Sequence, residues 1–302
     1  RTFELRFYTM YIALYNAFFT EETLQYVKAT VNFLELHGHQ FTLVNRLKKF
    51  LGSKASRYSY FDEEQKLDKD VDFLFSIGGD GTILRAINLI QDSEIPILGI
   101  NTGRLGFLTS LHKDALSEGL DLFLKKKYSF VSRSMLQVRT KNLIPLLENS
   151  GTALNEVSVN RKNTTSMLSI HTELDGKPLT TYWSDGLIIS TPTGSTGYSL
   201  SSGGPIVSPN SQCWILNPIA PHNINMRPLI VPDTTEIKIS VQGRSKNHLL
   251  SLDSRIVTLK NGNDIYLKKA SYAVSTIQLN GSNFFSTLRE KLFWGQDKRN
   301  TQ

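Results

Sequence analysis

From Tyr11 to about residue 130, short apolar runs alternate with stretches whose apolar residues recur every three or four positions. This alternation constrains the fold more than any single motif does. The strand candidates are Tyr11–Tyr15, Phe41–Val44, Val71–Ile77 and Pro96–Ile100. Between the first two, Leu24, Val27, Val31 and Leu34 mark one face of a helix, with Thr20 placed to cap its start and Gly38 to stop it. Between the last two, Ile83, Leu84, Ile87 and Ile90 mark a second helix. Strands alternating with helices predict an open parallel sheet.

Past residue 130 the period changes. Met135–Arg139, Glu156–Val159, Met167–Glu173, Glu236–Val241, Arg255–Leu259 and Asp264–Lys268 are short alternating segments, with turn signals at Asp175-Gly176, Pro232-Asp233 and Asn261-Gly262. They predict antiparallel β structure arranged as a sandwich. A last stretch, Phe285–Phe293, has a helical pattern. The expected division is an α/β domain over 1–130, a β-sandwich over 131–275, and a segment over 276–302 that packs back on the first domain. A chain of 302 residues has room for about two domains.

Lys and Arg number 34 against 27 Asp and Glu, a formal +7, so an anion is the expected partner. The basic residues are scattered. Their tightest run, Lys125–Lys127, follows a helical stretch containing Leu116, Leu120, Phe123 and Leu124, and reads as a complement to that helix's dipole. No zinc-finger spacing and no RNA-binding aromatic signature occurs, so nucleic acid is not the expected anion. No apolar run reaches the roughly 18 residues of a membrane span, and no membrane partner is expected. Tyr11–Phe19 follows basic residues, yet Glu4 stands among them and no small-residue cleavage site follows. It reads as a first strand, with Met10 as the natural start and Arg1–Thr9 as an extension. One cysteine, Cys213, excludes an intramolecular disulfide and any multi-cysteine metal site and predicts a reduced, cytoplasmic setting. Next to Trp214 it reads as a small core residue.

The chemistry concentrates in glycine-rich stretches. The strand Val71–Ile77 runs into Gly78-Gly79-Asp80-Gly81-Thr82 and at once into a helix. Glycines at such a turn let the backbone approach a ligand, and the helix start offers free N–H groups to a phosphate. Neither the dinucleotide fingerprint nor the Walker pattern is complete. Asp80 is out of place in a phosphate cradle unless it binds a cation or takes a proton; the alternative is a simple helix cap. A second turn, Gly99 to Phe107, follows the next strand and can form another wall of the same crevice. A third stretch, Ser184 to Pro205, is dense in glycine and in Ser and Thr hydroxyls with a single charge, which suits a wall that hydrogen-bonds a polar ligand. Asn155-Glu156 opens a strand with an amide and a carboxylate able to grip a sugar diol. The six histidines form no ligand set, and no dedicated metal site is evident.

These pieces together resemble the NAD kinase family. The resemblance rests on Gly78-Gly79-Asp80-Gly81-Thr82, Asn101-Thr102-Gly103-Arg104-Leu105-Gly106-Phe107-Leu108, Asn155-Glu156, Ser184-Asp185-Gly186 through Gly204-Pro205, Pro218-Ile219-Ala220-Pro221-His222 and Arg227-Pro228-Leu229, in order from about residue 10 to 295. It implies a Rossmann-like N-terminal domain and a β-sandwich C-terminal domain. It implies phosphorylation of the adenosine ribose 2′-hydroxyl of NAD by ATP with Mg²⁺ or another divalent cation, giving NADP and ADP, in a homodimer or homotetramer. It also implies Asp80 as the catalytic base, with Gly81 beside it and Arg85 reaching a phosphate. Gly78, Gly79, Gly81 and Thr82 would form the ATP phosphate loop. Asn155 and Glu156 would hold the ribose and adenine side of NAD; Asp185 and Thr196, Gly197, Tyr198, Ser199, Leu200 and Ser201 would shape the dinucleotide pocket, with Ala220 at its edge. Two departures stand out: the first turn, Tyr15-Asn16-Ala17-Phe18-Phe19, has no glycine, and Trp183 occupies a position where many relatives carry a basic residue. Lipid and sugar kinases share the Gly-Gly-Asp-Gly loop without the Ser184–Pro205 stretch, a dehydrogenase needs a complete cofactor fingerprint, and a nucleotide sensor needs no base.

Overall fold

The computed structural model describes residues 9–162, 166–281 and 283–293. Residues 1–8 of the expected N-terminal extension and residues 294–302 lie outside them. The chain divides into two units, one running to Val131 and resuming at Val274, the other spanning Ser132–Ala273.

The first unit contains β1 (Tyr11–Tyr15), β2 (Gln40–Val44), β3 (Ser59–Phe61), β4 (Phe73–Ile77), β5 (Ile97–Asn101) and β6 (Leu111–His112). Every pairing among them is parallel, in the order β3-β2-β1-β4-β5, with β6 against the far end of β5. The central strands are largely apolar because helices cover the sheet: Ile12, Leu14, Leu74, Phe75, Ile97 and Ile100 are fully buried. The helix Glu21–Leu36 starts at Thr20, whose side chain forms a reciprocal capping box with Thr23, and buries Val27, Val31 and Leu34. It ends before Gly38, which takes φ +70°. The helix Leu116–Leu124 packs by Phe123, edge-on to Phe73 and Phe75 at 4.9 and 5.1 Å. Its lysines lie past the last turn, with Lys125 as the C-cap and Lys126 at φ +54°. β4 begins two residues later than expected, since Asp72 turns its carboxylate back to the Tyr11 N–H at 2.8 Å. The chain leaves β1 toward β2 and β3 but builds β4 and β5 on the other side, so the strand order reverses between β1 and β4. The crevice at the carboxyl ends of strands flanking such a reversal is where open α/β sheets bind ligands.

The second unit takes in most of β7 (Tyr128–Thr140), then β8 (Thr152–Ala153), β9 (Glu156–Arg161), β10 (Leu168–Leu174), β11 (Lys177–Ser184), β12 (Gly186–Ser190), β13 (Cys213–Ile219), β14 (Leu229–Pro232), β15 (Ile237–Gly243), β16 (Asn247–Leu252), β17 (Arg255–Lys260) and the start of β18 (Ile265–Leu279). One antiparallel sheet runs β14-β13-β12-β9-β16-β17 and the other runs β11-β10-β15-β18. Their inward residues form one core that includes Val157, Val159, Ile170, Leu187, Ile189, Trp214, Ile237, Ile239 and Leu250. Asp175 and Gly176, at φ +49° and +73°, make the tight hairpin from β10 to β11. β11 to β14 and β16 go beyond the alternating segments read from sequence. β12 is buried at all five positions, so it shows no alternation. β13 carries Pro218, which breaks the strand signal, although it pairs with Leu187 in the sheet. Cys213 opens β13 and is buried, as expected of a core residue. β18 ends in the first unit, beside β5 through Thr276 and Ile97, and leads to the helix Phe284–Leu292. The fold is therefore a Rossmann-like α/β unit together with a β-sandwich.

Candidate active site

In the first unit the site begins where β4 ends. Gly78 takes φ +152° and passes so close to the next turn that a Cβ there would meet Thr82 Oγ1 at 2.2 Å. Gly79 is the N-cap of the helix Asp80–Ile90, and Gly79 and Gly81 are exposed, so their amides are open to a ligand. Asp80 is the first helical residue. It reaches across to the turn after β5, where the Phe107 N–H donates to Oδ2 at 2.8 Å and the Leu108 N–H to Oδ1 at 3.1 Å. The simple-cap alternative is thereby corrected. Gly106 makes the approach possible, since a Cβ at that position would sit 1.9 Å from Asp80 Oδ1. Asn101 braces this turn by donating to the Arg104 carbonyl at 2.8 Å and to Thr109 Oγ1 at 3.0 Å while accepting from the Gly103 N–H at 2.8 Å. The Lys291 ammonium, from the C-terminal helix, stands 4.0 Å from Asp80 Oδ2.

The turn after β1 has a different chemistry. Asn16 is buried and donates to the Ile77 carbonyl at 2.6 Å, joining the ends of β1 and β4 at the reversal point. Phe18 is 55% exposed, and the Arg85 guanidinium lies over its ring at 4.8 Å. Phe19 stacks on Phe50. Aromatic faces and Arg85 thus stand where a glycine turn would present amides.

In the second unit, Asn155 and Glu156 begin β9 against the turn Thr193–Thr196 and the short helix Tyr198–Ser201. The contact is tight: a Cβ on Gly194 would meet the Asn155 carbonyl at 2.0 Å, and one on Gly197 would meet Glu156 Oε2 at 3.1 Å. Asn155 Oδ1 and Glu156 Oε2 are buried without hydrogen-bond partners among the described residues. Burial, then the nearby Asp253 carboxylate, pushes Glu156 up to about 8, and the Tyr198 amide works weakly the other way. At neutral pH Glu156 is thus mostly a neutral acid that both donates and accepts. Asp253, in the hairpin between β16 and β17, has φ +50° and accepts from three successive amides, Leu154, Asn155 and Glu156, at 2.9, 2.8 and 3.1 Å. Burial raises Asp253 above the usual carboxylate range despite these donors.

Most hydroxyls of the Ser184–Pro205 stretch are occupied within the protein. Ser190 and Thr191 bond the carbonyls of Asn155 and Leu154, Ser195 bonds Pro192 and accepts from Val207, and Thr196 bonds Thr193. Ser199 is fully buried, with its carbonyl held by Asn217 at 3.0 Å. These hydroxyls brace the turn; they do not line an open wall. What faces outward from Thr196–Ser201 is Tyr198, 41% exposed, and Ser201, with Thr196, Gly197 and Leu200 half-buried. Asp185 and Ala220 belong to a second group at the other end of β12. Strand register sets Gly186 opposite Asn160 and Ser190 opposite Glu156, a separation of about 13 Å at 3.3 Å per residue. There the Asp185 N–H bonds the Ile219 carbonyl, Ala220 takes φ +44°, and the Asp185 carboxylate is paired with Arg161 at 2.8 Å. Trp183, 57% exposed, accepts the His222 N–H at this end. Sequence reasoning missed Asp253, Arg161 and Lys291. Asp253 and Lys291 sit in ordinary turn and helix patterns, and only chain closure brings Asp253 to the Asn155 amide and Lys291 beside Asp80.

Comparison with known proteins matches both parts of the chain to one family. The ATP-NAD kinase N-terminal domain matches residues 18–128 and the ATP-NAD kinase C-terminal domain matches residues 154–279. A protein named NAD kinase from Christiangramia forsetii is 47% identical over 296 residues, covering 96% of this chain and 100% of that one. A protein of the same name from Flavobacterium psychrophilum is 45% identical over 294 residues, with 96% and 100% covered. Among solved structures, yeast NADH kinase complexed with NADH superposes with a TM-score of 0.84 at 23% identity, over 97% of this chain and 90% of that one, a likeness of fold. An NAD kinase from Archaeoglobus fulgidus in complex with ATP superposes with a TM-score of 0.73 at 25% identity, over 94% and 99%. With both domains matched in order and relatives above 40% identity along nearly the whole length, this chain belongs to the NAD kinase family.

Proposed function

We infer that this protein phosphorylates the 2′-hydroxyl of the adenosine ribose of NAD with ATP, giving NADP and ADP. Beyond family membership, the observation that carries the reading is Asp80: a carboxylate at the mouth of a glycine loop, held by two backbone amides and facing away from its own helix. Two bonds fix the carboxylate's direction and leave lone pairs for a substrate hydroxyl. The exposed Gly79 and Gly81 amides at the helix start receive the triphosphate, Gly78 and Thr82 shape the loop with their own N–H groups given to the Ile100 and Gly79 carbonyls, and Arg85 adds a cation one turn on. Asn155 and Glu156 hold the ribose and adenine side of NAD. Their partnerless Oδ1 and Oε2 atoms are the polar groups a ligand satisfies. Tyr198 with Thr196, Gly197 and Ser201 offers the facing wall, Ser199 and Leu200 support it, and Asp185 and Ala220 shape the far end of the pocket.

In the reaction Asp80 accepts a hydrogen bond from the 2′-hydroxyl and takes its proton as the new bond to phosphorus forms. General-base help of this kind is worth roughly 10²–10⁴-fold, and positioning supplies most of the rest. No group of three His, Cys, Asp or Glu is assembled among the described residues. Mg²⁺ or another divalent cation would be carried by the triphosphate, with Asp80 as the one carboxylate of the loop that could help hold it. Such a cation supplies neutralisation of phosphate charge. We place the protein in the cytoplasm as a homodimer or homotetramer; among the described residues no helix is long and apolar enough to cross a membrane. The test is direct: incubate the protein with NAD, ATP and Mg²⁺, follow NADP, and measure mass by light scattering. No NADP despite tight NAD binding would mark a nucleotide sensor instead.

A further inference from the structure

We propose that Lys291 of the C-terminal helix is the side-chain cation that contacts the phosphoryl group in flight, acting beside Asp80; the inference rests on the NAD kinase reading. The helix Phe284–Leu292 is started by a capping box in which Asn283 and Ser286 bond each other's backbone, so its register is fixed. Phe284 and Lys291 are seven positions apart and share a helix face. Both meet Phe107: the Phe284 ring centroid is 6.2 Å from that of Phe107, and the Lys291 ammonium lies over the Phe107 ring at 4.6 Å. Phe107 also gives its backbone N–H to Asp80 Oδ2 at 2.8 Å. One residue therefore positions both groups, the carboxylate through its amide and the ammonium through its ring face.

The spacing favours a ligand between them. Lys291 Nζ is 4.0 Å from Asp80 Oδ2, beyond the roughly 2.7–2.9 Å of a charge-assisted hydrogen bond. Among the described residues the ammonium donates no hydrogen bond, and the Lys291 side chain is 35% exposed, so it is not sealed into an ion pair. The nearby alternative, Arg85, rests on the Phe18 ring. In the transfer the 2′-oxygen bonds to the γ-phosphorus and its proton passes to Asp80. The bond from phosphorus to the β,γ-bridging oxygen breaks, and its electron pair leaves with ADP. Lys291 donates to the equatorial oxygens of the transferred group, where charge must be stabilised without a covalent role.

The experiment compares wild type with Lys291→Met, which keeps the stem over Phe107 and removes the charge, and with Lys291→Arg, which restores it. The expected result is a fall in kcat for NADP formation of about 10²–10³-fold in Lys291→Met, the usual effect of losing one preorganised donor, with the Kd for NAD by calorimetry changed less than about threefold. Lys291→Arg should recover at least about tenfold of that loss. If wild type forms NADP and Lys291→Met keeps kcat within about threefold, this inference fails while the NAD kinase reading stands. It also fails if Lys291→Met loses kcat, NAD affinity and Tm together and Lys291→Arg restores none of them, because that pattern describes a purely structural residue. If wild type itself forms no NADP, the underlying reading fails.

Discussion

Glu156→Gln should make the protein more stable, by an amount that grows with pH. Glu156 is displaced from an ordinary 4.5 to about 8 by burial and by Asp253. Between those two values the folded protein holds a proton that the unfolded chain has released, so stability must fall as pH rises. The contribution is fully present below about 4.5 and is lost through about 8. At 1.36 kcal/mol per pH unit the full span amounts to about 5 kcal/mol, an upper limit. Glu156 is only half-buried, and its response is shared with Asp253, so about 1–3 kcal/mol between pH 5 and pH 8 is the realistic expectation. Glutamine copies the shape and hydrogen-bonding capacity of the protonated acid and cannot ionise. The variant should match wild type near pH 4.5 and pull ahead above it.

The assay is the Tm of both proteins across pH 5 to 8. At roughly 2–4 °C per kcal/mol for a unit of 150–250 residues, the gap should widen by about 2–12 °C over that range. Because the protein has two units, the comparison uses the transition of the β-sandwich, followed by Trp214 fluorescence or by hydrogen exchange in β9. A gap that stays constant, or that narrows as pH rises, would refute the assignment of a neutral Glu156.

Asp80→Asn should lower kcat for NADP formation by roughly 10²–10⁴-fold with little change in NAD affinity, and a variant of wild-type kcat rules out Asp80 as the base. Gly106→Ala should have a similar kinetic effect although residue 80 remains an aspartate, because the added Cβ would stand 1.9 Å from Asp80 Oδ1 and must push the carboxylate aside. A displacement near 1 Å costs on the order of 10²-fold in rate, readable in steady-state kcat. Asp253→Ala strips the acceptor from the Leu154, Asn155 and Glu156 amides. It should destabilise the β-sandwich by about 2–5 kcal/mol in urea unfolding and weaken NAD binding, since the start of β9 loses its anchor.

Local pattern made much of the fold legible. The Tyr11–Tyr15 strand, the helix capped by Thr20 and the Asp175-Gly176 hairpin each rest on residues within one turn or one strand of each other. Where the strand signal depended on burial from both faces, as in β12, or was cut by a proline, as at Pro218, periodicity had nothing to report. The same boundary runs through the site. Asp80 announces itself beside glycines at a strand end. Asp253 does not, because its partners lie 97 to 99 residues away and its own neighbours describe only a turn.

The Ser184–Pro205 stretch carries the clearest lesson, because its composition points two ways. Short hydroxyls and glycines suit a ligand wall, and they equally suit a turn packed against another backbone. The structure uses most of the hydroxyls for the second purpose: Ser190, Thr191, Ser195 and Thr196 bond main-chain carbonyls. The glycines answer to the same demand, Gly194 being required by an Asn155 carbonyl that a Cβ would meet at 2.0 Å. The stretch thus shapes a backbone and does not line an open surface. Gly194 lets the turn pack against the backbone at the start of β9, and Asp253 holds the Leu154, Asn155 and Glu156 amides. Asn155 Oδ1 and Glu156 Oε2 are left as the polar atoms without partners. Specificity of this kind comes from a rigid backbone that holds two unsatisfied groups in place, because a ligand that fails to bond them leaves their burial uncompensated.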